Sequence, residues 1–347
     1  MSDVLTIGAH VLGLYLAINA LFQSRTPQGA LAWFIGLVGF PWVSIPLFVA
    51  FGRRRYHDES QKEMKFSDEF PKYDVVKHRF EPLGDFEKFL QHTGFYFTGK
   101  NKVDLLIDSD QIYPSMFEAL NAAKEYIILQ VFIFRTDETG RKFADILIRK
   151  AKEGIKVYVL YEKVLIKMDK TLLDEMTEAG IHLGLFKPFT RNKWHLQFRN
   201  HRKIMIIDGQ VGFFGGINIG DDYVGKYPKI GHWRDTNVKI QGPSLIPAQF
   251  AFCKDWEDSQ GDAPEIDWKH GPSSGEANVL IFSSGPIEEK PFCLLHHIAL
   301  IELARKRLWI ANPYIVPPQT MMDALAMAAL RGGLMSGSLC PVTQITF

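Results

Sequence analysis

Cysteine is scarce in this chain, with 3 cysteines among 347 residues, and no two of them form a C-x-x-C pair. Neither a disulfide framework nor a cysteine-based zinc site is therefore expected, and the composition fits a reducing compartment. A surplus of charge of one sign is also missing, because 40 basic residues face 39 acidic ones, which gives a net charge of +1. This balance provides no general attraction to nucleic acid.

Charge is missing altogether from two stretches near the N-terminus, residues 4–22 and 30–51. The first would span about 28 Å as a helix, which is close to the hydrocarbon thickness of a bilayer. Pro41 and Pro46 are expected to kink the second, a distortion that a membrane tolerates better than water does. Three arginines at 53–55 place the following end in the cytoplasm. The sequence thus predicts a transmembrane anchor of two spans with both ends cytoplasmic.

Two alternatives to this anchor are a cleaved signal peptide and a buried soluble hairpin. A signal peptide needs a basic start, whereas Asp3 is acidic, and a second apolar stretch follows at once. Two uncharged stretches of this length also disfavour the hairpin. We assign residues 1–55 to the anchor and the mixed, polar residues 56–100 to a juxtamembrane connector.

The most informative pattern is H-x-K-x4-D, formed by His201, Lys203 and Asp208. The apolar run Ile204–Ile207 predicts a strand, and Asp208 begins an Asp-Gly turn. On an extended chain His201 and Lys203 project to the same face. An imidazole there can attack phosphorus while an ammonium holds the phosphate oxygens. Asp208 lies an odd number of residues after His201, so on an extended chain it would face away from the imidazole. Within this catalytic motif we therefore assign Asp208 to support of the turn.

A second element, G-G-I-N, follows the motif at a fixed distance. Gly215 and Gly216 permit close approach of the backbone to a ligand or to a neighbouring strand, and the amide of Asn218 can donate to phosphate oxygens. We assign these three residues to phosphate binding. Asp235, in W-R-D-T, is expected to bind the far ring nitrogen of His201 and to fix its tautomer. Alone, H-x-K-x4-D more often marks a wet strand edge with a hairpin turn, but the added elements favour a phosphate site.

These elements together resemble the phospholipase D superfamily, and N-H-R-K-I, G-G-I-N-I-G-D-D-Y, W-R-D-T and I-Q-G-P resemble the bacterial cardiolipin synthases. The R-x-P-x-x-A-L-A-W-x-I-x-L pattern from Arg25 is similar to the N-terminal anchor of that family. The resemblance implies that a motif histidine, here His201, is the nucleophile and that no metal or other cofactor is needed. The family usually has Asp and a Gly-Ser pair near Glu162, and this chain differs there.

Strands and helices alternate from Lys102 onwards, which predicts an α/β fold with a parallel element in its sheet. The order that begins at Val103 returns from Ala277, so the chain holds two copies of one unit, as a duplicated phospholipase D-like mixed-sheet fold would. We assign residues 101–265 to a first domain with the motif and 276–347 to an incomplete second domain. The predicted strands are 103–107, 126–134, 156–160, 277–282 and 307–315, and the predicted helices are 115–125, 141–154 and 294–306.

The second copy lacks its own H-x-K-x4-D. After Gly332 the first copy predicts an apolar strand, but the sequence reads LMSGSLCPVTQITF, which we interpret as a truncation, with natural divergence of the tail as the alternative. The resemblance implies a second histidine that protonates the leaving alcohol. His296 and His297 lie on a predicted helix and are expected to be packed or solvated, and His195 is expected to line the cleft or the surface.

The resemblance predicts a phosphatidyltransferase of the bacterial inner membrane, multi-pass with its catalytic domain in the cytoplasm. It would join two phosphatidylglycerol molecules into cardiolipin through a phosphohistidine. Its partners would be phosphatidylglycerol and membrane lipid, without nucleic acid, because no basic stripe with interleaved aromatics is present. A phospholipase D-type phosphodiesterase is the second reading. The third is an inactive lipid-binding half-enzyme, and a homodimer that faces two single motifs is left open.

Overall fold

The computed structural model divides the chain into two compact units. The first comprises Met1–His78 with Phe97–Ser283, and the second comprises Arg79–Tyr96 with Ser284–Phe347. The residues that the structure describes are 2–24, 26–52, 86, 89–90, 95, 97–162, 169–186, 199–227, 231–272, 274–285, 291–312, 316–331 and 335–339.

Three apolar helices open the first unit. They are α1 (Ser2–Gln23), α2 (Pro27–Gly39) and α3 (Pro41–Phe51). Thr26 caps α2 by accepting a hydrogen bond from the N–H of Gly29 (3.1 Å). Pro41 begins α3, a position where its missing N–H removes no hydrogen bond of the helix. The second apolar stretch therefore forms two helices that are broken at Phe40, next to the kink predicted at Pro41.

Few side chains are buried where these three helices meet. The buried cluster consists of Leu16, Ala17, Ala20, Leu37 and Phe48. Most large apolar side chains of the three helices are exposed instead. Within the described part of the chain, Val4–Gln23 is the one helix long and apolar enough to cross a membrane, whereas α2 has 13 residues and α3 has 11. Helix length therefore does not confirm the prediction of two complete spans.

An eight-stranded mixed sheet forms the centre of the first unit. Its strands are β1 (Thr98–Ile107), β2 (Tyr126–Val131), β3 (Lys156–Tyr161), β4 (His182–Leu185), β5 (Ile204–Ile207), β6 (Val211–Gly215), β7 (Thr236–Gln241) and β8 (Ala277–Val279). Their spatial order is β4-β3-β2-β5-β6-β7-β1-β8. The pairs β2–β3 and β3–β4 are parallel, and the other pairs are antiparallel. The predicted α/β fold with a parallel element in its sheet is confirmed.

Helices cover both faces of this sheet. They are α4 (Asp108–Ala122), α5 (Glu138–Lys152), α6 (Lys170–Glu178) and α7 (Leu245–Gln260). Side chains alternate between the two faces, so Ile127 and Leu129 of β2 join one core while Tyr126 and Ile128 join another with Phe252 of α7. Burial on both faces explains why the central strands are mainly apolar.

Most predicted elements of the first unit agree with the structure to within a few residues. The helix predicted from Ser115 begins earlier, at Asp108, and runs through Pro114. β1 already begins at Thr98, because its first half pairs with β8. That pairing places β8, predicted as the first strand of the second domain, in the first sheet.

The second unit repeats part of this order. It contains α8 (Phe292–Leu303), β9 (Arg307–Ala311), α9 (Gln319–Leu330) and β10 (Met335–Leu339). β9 and β10 pair in parallel, as β2 and β3 do. A strand therefore follows Gly332 at the place where the first copy has β3. The interpretation of the tail as a truncation stays a prediction. Parallel pairing depends on backbone hydrogen bonds, so a strand can form there without an apolar sequence.

Candidate active site

The sheet brings the two sequence motifs together at the start of β5. Ile204 pairs with Phe214 of β6, so one residue earlier the same register places Lys203 beside Gly215. Gly215 pairs in turn with Asn237 of β7. The H-x-K and G-G-I-N elements therefore meet on neighbouring strands, as the sequence motifs predict.

His201 precedes β5 and stays accessible to solvent. Its ring packs edge-on against Phe132, with 4.7 Å between the ring centroids. Partial burial, and then the nearby charge of Lys203, lower the pKa of His201 below its usual value. The imidazole is therefore neutral at neutral pH and has a lone pair for nucleophilic attack.

Lys203 shares the same aromatic platform. Its Nζ lies 5.2 Å from the centroid of the Phe132 ring and donates a hydrogen bond to the backbone carbonyl of His201 (3.0 Å). Burial lowers the pKa of Lys203 to about 8, and the negative charge of Asp235 opposes that shift. The cation is thus held close to the imidazole in a small cavity that Asn218 and Asn237 also line.

Asn218 is buried and uses its side chain to fix the loop after β6. Its Oδ1 accepts the N–H of Ile133 (3.0 Å), and its Nδ2 donates to the hydroxyl of Tyr223 (2.8 Å). Its backbone carbonyl accepts the hydroxyl of Tyr113 (2.7 Å). An amide nitrogen carries two hydrogens, so the bond to Tyr223 takes one of them.

The two glycines of the motif admit neighbouring side chains. A Cβ on Gly215 would lie 1.9 Å from the Oδ1 of Asn237, and one on Gly216 would lie 2.7 Å from a carboxylate oxygen of Asp235. The part of the chain that closely approaches the two glycines is therefore β7 together with the residue before it. Of the two possibilities that the sequence left open, a ligand or a neighbouring strand, this is the second.

Asp235 makes different contacts from those expected. Its carboxylate accepts hydrogen bonds from the indole of Trp233 (3.1 Å) and from the N–H of Thr236 (2.8 Å). No hydrogen bond joins it to His201 in the described part of the chain. Its charge acts on Lys203, whose pKa it raises. Asp235 is thus near enough for its charge to act on the motif lysine, although the described residues show no ion pair between the two.

Asp208 lies at the opposite end of β5 from His201. Its carboxylate accepts the backbone N–H groups of Lys124, Glu125 and Tyr126, each at 2.8 Å. It adopts a left-handed conformation with φ of 53°, which suits the turn into Gly209. The residue therefore joins this turn to the start of β2 and is remote from the imidazole.

Known proteins are similar to this chain. A family model described as "Cardiolipin synthase, PLD-like domain" matches residues 116–247, a range that contains every predicted site residue. Cardiolipin synthase A of Pseudomonas aeruginosa (strain LESB58) is 30% identical over 344 residues, which cover 95% of this chain and 70% of that protein. Cardiolipin synthase A of Pseudomonas syringae pv. syringae is 31% identical over 93% of this chain and 71% of its own.

The chain belongs to the cardiolipin synthase family. Two solved structures are more distantly similar. Phosphatidylserine synthase of Haemophilus influenzae matches 70% of this chain and 63% of its own, at 15% identity and a TM-score of 0.49. NucT from Helicobacter pylori matches 46% of this chain and 98% of its own, at 18% identity and a TM-score of 0.35.

The site of this cardiolipin synthase family member includes a residue that the sequence motifs did not indicate. Phe132 packs against both His201 and Lys203, and it follows the last residue of β2. The only sequence signal was its position at the end of a buried strand. Of the other predicted histidines, His195 lies outside the described residues.

His296 and His297 of the second unit lie on α8, as predicted for packed or solvated side chains. His296 is buried among the rings of Phe86, Phe89 and Phe95, whereas His297 is exposed. Both keep their Nδ1 atoms within hydrogen-bonding distance of carbonyls one helical turn earlier, at 2.7 Å.

Proposed function

We propose that this family member is a membrane phosphatidyltransferase that makes cardiolipin from two phosphatidylglycerol molecules, with His201 as its nucleophile. The observation that carries the proposal is a neutral imidazole beside an ammonium on one aromatic ring, that of Phe132. The relatives named cardiolipin synthase A support the reaction. The lysine cation is present below a pH of about 8, so both groups hold the required charge near neutrality.

The reaction would run in two displacements at phosphorus. A ring nitrogen of His201 forms a bond to phosphorus as the bond to the glycerol oxygen breaks, and the glycerol alkoxide takes up a proton. A hydroxyl of a second phosphatidylglycerol then loses its proton, its oxygen bonds to phosphorus, and the N–P bond breaks. Cardiolipin leaves and His201 is restored. Lys203 would stabilise the non-bridging oxygens in both transition states.

The proton transfers need an acid and a base beside the leaving and attacking oxygens. The family resemblance gives this role to the histidine of a second motif. A second copy of the chain could supply another His201, so we retain a homodimer as part of the proposal. The duplicated fold is supported by the shared order of α4-β2-α5-β3 and α8-β9-α9-β10.

The remaining motif residues would act on His201 and Lys203 or on their surroundings. Asn218 would offer its second Nδ2 hydrogen to the phosphate, and Asp235 would keep Lys203 protonated. Gly215 and Gly216 would serve phosphate binding indirectly, by letting the β7 segment close on the site. Asp208 would brace the turn after β5.

Membrane attachment of the catalytic unit would come from the N-terminal helices. α1 is long enough to span, and the exposed apolar side chains of α2 and α3 suit lipid contact. We propose that α2 and α3 together form the return span, with Phe40 as its break, and that the arginines at 53–55 lie in the cytoplasm. Lipid partners rather than nucleic acid follow from this attachment and from the net charge of +1.

Product analysis tests the assignment. The full chain in phosphatidylglycerol vesicles should convert lipid to cardiolipin and glycerol, and His201→Ala should abolish both products. His297→Ala, a change at an exposed histidine, is the matched control and should leave turnover intact. Cardiolipin formation by His201→Ala at the normal rate would refute the proposal.

A phospholipase D-type phosphodiesterase is the second candidate, because His201 is accessible to solvent. It would share the first displacement and then use water as the acceptor. The same assay separates the two, since hydrolysis yields phosphatidic acid in place of cardiolipin. Binding of lipid without either product would identify the lipid-binding half-enzyme.

A further inference from the structure

One buried carboxylate forms hydrogen bonds that connect several segments of the chain near the proposed nucleophile. Asp255, on α7, is 3% exposed. A single oxygen of its side chain, Oδ2, accepts hydrogen bonds from Nε2 of Gln130 (2.7 Å), from Nδ2 of Asn200 (2.7 Å) and from the guanidinium of Arg202. Three separate parts of the first unit, α7, β2 and the segment before β5, therefore meet at one atom.

Two of these three donors flank His201 directly. Asn200 precedes it and Arg202 follows it, and Oδ1 of Asn200 also accepts the N–H of Arg202 (3.0 Å), which closes a turn around the histidine. The N–H of Asn200 is bonded to the buried carboxylate of Glu162 (2.8 Å). The backbone on both sides of His201 is thus fixed by buried acceptors.

The third donor, Gln130, belongs to the strand that leads to the aromatic ring beside the imidazole. Gln130 lies on β2, two residues before Phe132. The ring of Phe132 packs against the imidazole, with 4.7 Å between the ring centroids. Asp255 therefore holds both the backbone that carries His201 and the strand that carries its aromatic support.

A buried carboxylate is stable when it is paired and hydrogen-bonded, and loss of one partner leaves an uncompensated charge. Arg202 supplies the countercharge, and the two neutral amides donate to the same carboxylate oxygen. Such a network sets one geometry rather than adding much stability. The arrangement suits a site in which displacement by about 1 Å can lower the rate a hundredfold.

We infer that Asp255 is a positioning residue that sets the orientation and burial of His201 through Asn200, Arg202 and Gln130. The inference rests on the proposed function, which makes His201 the nucleophile. It concerns the placement of the imidazole, so it can be measured without turnover.

The test measures how the modification of each histidine by diethyl pyrocarbonate depends on pH. The reagent reacts with the neutral imidazole, and mass spectrometry gives the extent of modification of each residue. The variant is Arg202→Gln/Asp255→Asn in the full chain. It removes one charge of each sign, so a shift in the titration of His201 reports its exposure. The charge of Lys203 remains beside the imidazole, and Asp235 acts on Lys203. Glu162, which accepts the N–H of Asn200, remains with Arg199 on the segment before His201, and Asp258 of α7 remains near positions 202 and 255.

The loosened segment should expose the imidazole, so the pKa of His201 should rise towards the ordinary value of about 6.5. His182 and His232 should titrate as in the unchanged protein. Turnover, measured in parallel, should fall about tenfold or more in kcat with little change in KM. Glu257→Gln, at an exposed carboxylate of the same helix, is the control and should change none of these values.

An unchanged titration of His201 would overturn the inference. A shift of all three histidines would mean that the double variant is misfolded, and Asn200→Ala, which keeps both charges, then decides by the same criterion. The turnover of His201→Ala tests the proposed function separately. If the double variant shifts the titration of His201 but His201→Ala retains normal turnover, Asp255 positions His201 and the proposed function is refuted.

Discussion

Lys203 donates a hydrogen bond from Nζ to the backbone carbonyl of His201, at 3.0 Å. The ammonium group of Lys203 therefore lies close to His201. Partial burial of His201, and then this positive charge, lower the pKa of the imidazole. Both side chains also rest on Phe132. A phosphate that approaches His201 therefore meets an ammonium that is already in place.

Replacement of Lys203 should remove the stabilisation of the phosphate oxygens. We expect Lys203→Met to lower kcat/KM by about a hundredfold or more, the usual loss for one preorganised donor in a transition state. Lys239→Met is the matched control, because Lys239 also lies over an aromatic ring, that of Phe213 at 5.9 Å. Assays of cardiolipin formation in vesicles measure both, and a Lys203→Met enzyme with half of the normal rate would contradict the assigned role.

The pH dependence of kcat/KM should be bell-shaped. His201 acts in its neutral form, so activity rises as pH increases through its pKa, which lies below the usual value. Lys203 acts as a cation, so activity falls as pH increases through about 8. Lys203→Arg should remove the alkaline limb, because arginine stays charged. An alkaline limb that persists in this variant would assign it to another group.

Loss of the Asp208 carboxylate should lower stability without a direct effect on the chemistry. It accepts three backbone N–H groups, so Asp208→Ala should reduce the free energy of unfolding by about 3 kcal/mol. Asp145→Ala, at an exposed ion pair with Arg141, should change it by less than about 1 kcal/mol. Thermal unfolding measures both. A normally stable Asp208→Ala protein without turnover would instead place the carboxylate in the reaction.

Gly215 and Asn237 should behave as a coupled pair. Gly215→Ala places a methyl group on the Asn237 side chain, so we expect a loss of about 1–3 kcal/mol in stability. Asn237→Ala opens that space, so the double variant should recover the part of the loss that the Asn237 side chain causes, a non-additive result in a double-mutant cycle. The contact of the new methyl group with the Thr236 carbonyl oxygen, at 2.7 Å, should retain the rest. Additive effects would show that the two side chains do not compete for one volume.

Much of the first unit could be predicted from the sequence because its signals are local. The apolar run Ile204–Ile207 forms β5 with the predicted limits, and the alternation of strands and helices gives the fold class. The spacing of His201 and Lys203 placed both near one volume, and they meet at Phe132. These features depend on neighbours in the chain.

Features that depend on distant partners could not be predicted in this way. Asp235 has a carboxylate suited to orient an imidazole, yet its contacts with Trp233 and Thr236 direct it elsewhere. Asp255 lies more than fifty residues after His201, on a largely buried helix, and only the fold brings it to Asn200 and Arg202. β10 was missed because pairing with β9 stabilises a strand of unremarkable sequence.

The central claim is that His201 carries the phosphatidyl group. The most direct measurement is mass spectrometry of the full chain after it is mixed with phosphatidylglycerol vesicles and quenched at alkaline pH, where phosphohistidine survives. The account predicts a phosphatidyl adduct on the peptide that contains His201, absent from His201→Ala and present in His297→Ala. An adduct on another residue, or cardiolipin formation by an enzyme that never carries the adduct, would contradict it.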